Sequence, residues 1–262
     1  MVGVVLLLAA ACSAGDRPGS AGAGNYDSLM RVGDSTLRSA DPSHAVPIYR
    51  RAHEINPRAP EPMARIGQAM LLSGNPAEAA AAFQDALKLS PSNTEAMRGM
   101  GASLIAMNQP ELALEQYQAA IRADSNDTRA MNGAGVALDL LGRHAEAHTR
   151  YDAALKADPT YLPARNNYGL SLITAGSYPE AIQVLAAAVQ QPDSNLKVRG
   201  NLALAYGLQG DAPQALRWLR SDMDEASAKR YLAYFEQLRN ASPEIRTASI
   251  RANPEYYPRR SR

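Results

Sequence analysis

His144 and His148 stand four residues apart with Glu146 between them, and in a helix that spacing places both imidazoles on one face, where two nitrogens can hold a metal ion. The order His-Ala-Glu-Ala-His is not the zincin order, and both residues fall near the start of a helix, largely on its outer side. They are therefore read as solvated surface histidines. A single cysteine, Cys12, excludes an internal disulfide framework and any multi-thiolate metal centre. There is no glycine-rich phosphate loop and no nucleophile elbow, because the glycines obey a regular spacing of another origin. Met63, Met97 and Met131 share one register and are read as a core stripe rather than a binding strip. With 27 Lys and Arg against 26 Asp and Glu, the net charge of +1 carries no electrostatic footprint for nucleic acid. These residues imply no catalysis, no metal and no cofactor.

The glycine spacing points to the elements that must position everything else. Gly33, Gly67, Gly101, Gly135 and Gly169 are each 34 residues apart, and Ala203 continues the series. Ala45, Ala79, Ala113, Ala147, Ala181 and Ala215 keep the same step, as do Ala52, Ala86, Ala120, Ala154 and Ala188. Pro57, Pro91 and Pro159 form a further ladder, with Ser125 substituting once. Several independent ladders in one register resemble the tetratricopeptide repeat, whose pattern asks for small residues at positions 8, 20 and 27 and a large residue at 24. With position 1 at Tyr26, the chain reads as six gapless repeats over 26–229, and position 24 is filled by Tyr49, Phe83, Tyr117, Tyr151, Leu185 and Leu219. The resemblance implies an all-α, right-handed superhelical solenoid that holds another polypeptide.

Close approach of helices explains the small residues, and the side chain at position 24 fills the space they leave. Gly74, Asn108, Gly142, Gly176 and Gly210 fall between the helices of each repeat, where a left-handed residue is needed and Asn is the tolerated substitute for Gly. Pro76 and Pro110 follow at the opening of a second helix, where the missing N–H does no harm. Pro47 is expected within the first turn or so of the first repeat's second helix. Asp222 at position 27 predicts an early end to the last repeat's second helix. A further helix starting near 224 and running to 240 carries Tyr231, Leu232, Phe235 and Leu238 at helical spacing, and it is expected to cap the exposed core.

The two ends differ in composition from the repeats. Residues 2–11 form an apolar stretch, shorter than the roughly 20 residues that span a bilayer. The run Leu8-Ala9-Ala10-Ala11-Cys12-Ser13 resembles a bacterial lipobox, with Ala9 where Leu is usual; the resemblance makes 1–12 a signal segment and Cys12 a lipidated residue. Ser13 in place of Asp implies the outer membrane by the same resemblance. Residues 13–25, rich in Gly, Ala and Ser, read as a flexible tether, and 241–262 as a basic, disordered tail.

A groove remains as the place for function. In the repeat family the first helices line a concave surface, mainly through positions 2, 5, 6, 9 and 12. Arg65, Gln68, Arg98, Asn132, Asp139, Asn166, Asn167 and Asn201 stand there and are candidates to hydrogen-bond a peptide backbone. The alternative reading is that they only keep a concave surface wet. No repeat combines Lys at position 5 with Asn at position 9, the pattern that clamps chaperone C-terminal carboxylates. The runs Ala164–Leu172, Gly176–Ala181 and Val198–Asp211, with Ser221-Asp222-Met223-Asp224 before Tyr231-Leu232-Ala233-Tyr234-Phe235, are similar to the TadD family of tight-adherence (Flp) pilus lipoproteins. That resemblance implies a lipid-anchored pilotin on the periplasmic face of the outer membrane that binds the pilus secretin. A type IVa pilotin and a general envelope scaffold are the alternatives.

Overall fold

The computed structural model describes residues 20–39 and 41–252. The lipobox with Cys12, most of the expected tether and the last part of the tail lie outside the described residues. Within them the chain is all helix. The helices pair as α1 and α2 (Ser20–Arg38, Pro42–Ile55), α3 and α4 (Glu61–Leu72, Pro76–Leu89), and α5 and α6 (Thr94–Ala106, Pro110–Ala123). Then come α7 and α8 (Thr128–Leu140, His144–Ala157), α9 and α10 (Leu162–Thr174, Tyr178–Val189), and α11 and α12 (Leu196–Gln209, Ala212–Arg220). Two further helices follow, α13 (Glu225–Asn240) and α14 (Pro243–Ala252). No helix among the described residues is long and apolar enough to cross a membrane.

Each helix touches the next in sequence, and the odd-numbered helices also touch one another from α3 through α11. The first helices therefore form the inner wall of a helical-repeat solenoid. Packing follows the ladders. The alanines at positions 20 and 27 from Ala45 to Ala215 and from Ala52 to Ala188 are all fully buried. A Cβ placed on Gly33 would come within 2.5 Å of the Tyr49 ring, and one on Gly135 within 2.5 Å of Tyr151. In the fifth repeat Gly169 meets Leu185 in the same way, at 2.4 Å. Position 8 is thus small because the large residue at position 24 of the same repeat lies directly over it.

The turns between paired helices close by one device. Gly74, Gly142, Gly176 and Gly210 have φ of 77°, 74°, 83° and 97°, and Asn108 is the one non-glycine residue with positive φ among those described, at 56°. In each case the next N–H reaches back to the preceding helix, as in Asn75 N to Met70 O at 2.9 Å and Gln109 N to Leu104 O at 2.8 Å.

Four local outcomes bear on the sequence expectations. Pro47 lies inside α2, since that helix opens at Pro42 with Asp41 as its cap, accepting from His44 N. The last second helix, α12, does end early, at Arg220, and Asp222 is taken instead by Arg199 at 2.6 Å. At the N-terminal end, α1 begins at Ser20, within the stretch read as tether. At the C-terminal end, the stretch read as disordered from 241 carries α14, because Arg246 and Ile250 give it partners that the composition of the tail did not reveal.

Candidate functional site

Arg65, Gln68, Arg98 and Asn132 line one cleft of about 670 Å³ on the inner faces of α1, α3, α5 and α7. Its floor is shaped by position 6. Gly99 and Gly133 stand there in the third and fourth repeats, and a Cβ on either would come within 2.2 Å of Phe83 or 2.3 Å of Tyr117. Each ring is thus clasped between a glycine of its own repeat and one of the next, and both rings reach the cleft floor. Burial pushes the Tyr117 hydroxyl up to about 12, so it stays protonated and acts as part of an apolar floor.

The two arginines are already engaged. Arg65 pairs with Asp34 through Nε at 3.2 Å and with Glu95 through Nη1, so it links α1, α3 and α5. Asp34 also accepts the Tyr49 hydroxyl at 2.8 Å. Arg98 pairs with Asp127, whose other oxygen caps α7 by accepting from Ala130 N at 2.9 Å. These half-buried pairs staple successive repeats while leaving the guanidinium faces on the cleft. Asp34, Arg38, Glu95, Arg129 and Tyr161 join the lining. Asp34, Glu95 and Arg129 occupy the concave register positions and were legible there; Arg38 lies one step outside that register and Tyr161, the last residue of its repeat, two.

The remaining candidates are placed differently. Asn201 Nδ2 donates to Asn166 Oδ1 at 2.8 Å, and Asn167 Nδ2 donates to Asn132 Oδ1 at 3.0 Å. Asn166 and Asn201 are only 5% and 3% exposed. The expectation that Asn166 and Asn201 face a ligand is corrected: the Asn201 amide donates across the repeat boundary to Asn166, whose own amide donates to Asn167, so these buried amides are spent within the protein. Asp139 faces a second cavity of about 250 Å³ with Val136, Leu140, Leu170 and Thr174 in its wall. Its carboxylate accepts Tyr151 OH at 2.8 Å and Ser171 Oγ at 2.6 Å and meets His144 Nδ1 at 2.7 Å.

The histidines are also corrected from solvated to half-buried. His148 Nε2 lies 3.0 Å from Ser171 Oγ, and its ring centroid 5.2 Å from that of Tyr168. His144 and His148 each engage a different partner instead of converging on one point. Burial holds the His148 imidazole below its ordinary pKa, against the raising effect of Asp139, Asp152 and Glu180.

Ile250 of α14 closes the second cavity and is 2% exposed. Arg246 fixes α14 in place, donating to the carbonyls of Leu238, Arg239 and Ala241 and to Tyr178 OH, the last at 2.7 Å. The open cleft thus ends at α7, and α14 covers its continuation on α7 and α9.

Models of the tetratricopeptide repeat match residues 32–94, 70–134, 141–196 and 197–221. A search of curated proteins gives no match. Among solved structures, PilF of Pseudomonas aeruginosa superposes with a TM-score of 0.66 at 16% identity, covering 89% of this chain and 100% of that one. PilW, described as a widely conserved type IV pilus biogenesis factor, gives 0.69 at 16% identity, with 75% and 91% covered. YrrB, described as a repeat protein with an unusual peptide-binding site, gives 0.50 at 22% identity, with 66% and 89% covered. Likeness at these identities is likeness of fold.

Proposed function

This chain belongs to the tetratricopeptide-repeat proteins, and from that premise we propose that it is a scaffold lipoprotein of the tight-adherence (Flp) pilus system, a pilotin of the TadD kind. In this reading the cleft across α1, α3, α5 and α7 captures a segment of the pilus secretin. A lipid on Cys12 holds the complex at the periplasmic face of the outer membrane while the secretin assembles. The observation that carries the reading is the cleft itself: about 670 Å³, open, floored by two buried rings and rimmed by polar groups already rigidified through repeat-to-repeat pairs. Rigid donors bind a backbone with little ordering cost. The sequence likeness of 164–235 to the TadD family supports the particular system.

A role in type IV pili is the second reading, supported by the fold shared with PilF and PilW. A photo-crosslinking residue at Gln68, inside the cleft, and another at Glu115, exposed on α6, separate these readings. Capture of the Flp secretin from Gln68 alone is the expected result. Capture of a type IVa component selects the second reading, and capture from Glu115 alone moves the interface to the outer face. Fractionation of Cys12→Ala tests the anchor separately: the variant should leave the membrane fraction, and unchanged partitioning rules the lipid out.

A further inference from the structure

The cleft carries a charge asymmetry that narrows its occupant. Of its four lining arginines, Arg65 and Arg98 are paired with Asp34, Glu95 and Asp127. Arg38 and Arg129 are exposed, and no carboxylate among the described residues forms an ion pair with either. Arg38 ends α1 and Arg129 stands in the first turn of α7, so the two mark opposite ends of the cleft. Tyr161 stands beside Arg129, and burial raises its pKa, so its hydroxyl is a donor at neutral pH. Between the two arginines the floor is apolar, made by Leu37, Leu71, Ala102 and the rings of Phe83 and Tyr117, while Arg65, Gln68, Glu95, Arg98 and Asn132 also line the cleft.

We infer that the cleft binds an extended acidic segment, with one carboxylate at Arg38, another at Arg129 and Tyr161, and an apolar side chain on the floor between them. This rests on the reading of the cleft as a peptide-capture site and adds the class of peptide. Each free guanidinium gains a carboxylate partner on binding, while Asp34 and Glu95 share Arg65 and Asp127 holds Arg98, so four cations against three carboxylates leave the cleft with a net positive charge. A basic occupant would instead meet two uncompensated cations. That excludes the protein's own C-terminal sequence, where Arg259, Arg260 and Arg262 outweigh Glu255. The length of the bound segment is limited on one side by α14, which covers the concave surface beyond α7.

The test uses three labelled synthetic peptides identical but for two residues, which are Glu, Gln or Lys and stand three positions to either side of a central leucine, so that the pair spans about 20 Å when extended. Fluorescence anisotropy with the full chain should show the Glu peptide binding about tenfold more tightly than the Gln peptide, with affinity falling as salt rises. Arg38→Glu combined with Arg129→Glu should remove that preference and favour the Lys peptide, with the far-ultraviolet circular dichroism unchanged because both side chains are exposed. Equal binding of the Glu and Gln peptides overturns the charge inference and leaves the capture site standing. Failure of all three peptides overturns it as well, and the Gln68 crosslink then decides whether the capture site falls with it.

Discussion

Asp139 on α7 accepts the Ser171 hydroxyl of α9 at 2.6 Å and the Tyr151 hydroxyl of α8 at 2.8 Å, so one carboxylate joins both helices of the fourth repeat to the fifth. The Tyr49 hydroxyl finds Asp34 at 2.8 Å in the first repeat, which shows the same solution for a tyrosine at position 24. The aromatic position is thus polar at its tip wherever it is tyrosine with a carboxylate in reach.

Asp139→Ala removes the acceptor for Tyr151 and Ser171 and the partner of His144. Each buried group left unsatisfied costs about 1–3 kcal/mol, and the expected loss is about 3 kcal/mol. Urea unfolding followed by circular dichroism measures it. A loss below about 1 kcal/mol would mean that water replaces the carboxylate without penalty, and the proposed link between repeats would be wrong.

His148 gives the same junction a pH dependence of definite sign. Its Nε2 contacts Ser171 Oγ at 3.0 Å, and burial is the main cause of its lowered pKa, with His144 acting in the same direction and Asp139, Asp152 and Glu180 opposing. A histidine with a lowered folded pKa binds its proton in the unfolded chain first. Its contribution is complete above the unfolded value of about 6.5 and is lost as pH falls from there through the lower folded value. The parent should therefore lose more thermal stability between neutral and mildly acidic pH than His148→Gln does. Parallel curves for the two proteins would remove His148 from the account.

How far the fold could be read from sequence depended on what the ladder encodes. Small residues at positions 8, 20 and 27 report contacts that recur every repeat, so Gly33 through Gly169 and the two alanine series placed the helices correctly. Contacts that occur once leave no period. Nothing in a single chain shows that Asn166 faces Asn201 rather than a ligand, because position 5 of one repeat and position 6 of the next are both concave positions. Arg65 and Arg98 line the cleft, as their register positions imply, but their pairing with Glu95 and Asp127 depends on how repeats are offset in space. The C-terminal helix α14 was missed for a related reason: its burial rests on Ile250 and its orientation on Arg246, too few residues to make an amphipathic pattern.

Asn108 tests the turn argument. It occupies with φ of 56° the position that glycine holds at residues 74, 142, 176 and 210. Asn108→Ala should cost about 1 kcal/mol, since alanine lacks the local hydrogen bonding that lets Asn tolerate the left-handed region. Asn108→Gly should fall within about 0.5 kcal/mol of the parent, because relief of strain is offset by a freer unfolded chain. Chemical denaturation of the pair is the check. An alanine variant as stable as the glycine variant would show that this turn does not hold its left-handed conformation in solution.

Ile250 tests whether α14 is a separable cover over the groove. The helix is 10 residues long, too short to persist alone in water, so it depends on the contacts it makes. Ile250 is 2% exposed and lines the second cavity with Val136, Leu140, Leu170 and Thr174, and truncating such a side chain costs about 2–4 kcal/mol. That cost falls on the docking of α14, because the repeats beneath it are held by their own alanine ladders and by α13, whose Phe235 fills the space over Gly207. Ile250→Ala should therefore abolish hydrogen-exchange protection in α14 while leaving the amides of α3 through α10 protected. Dye binding to the uncovered strip of Val136, Leu140 and Leu170 should rise in parallel. Loss of protection across α9 and α11 together with α14 would show instead that the last helix folds as one unit with the repeats, and that the groove beyond α7 is permanently closed.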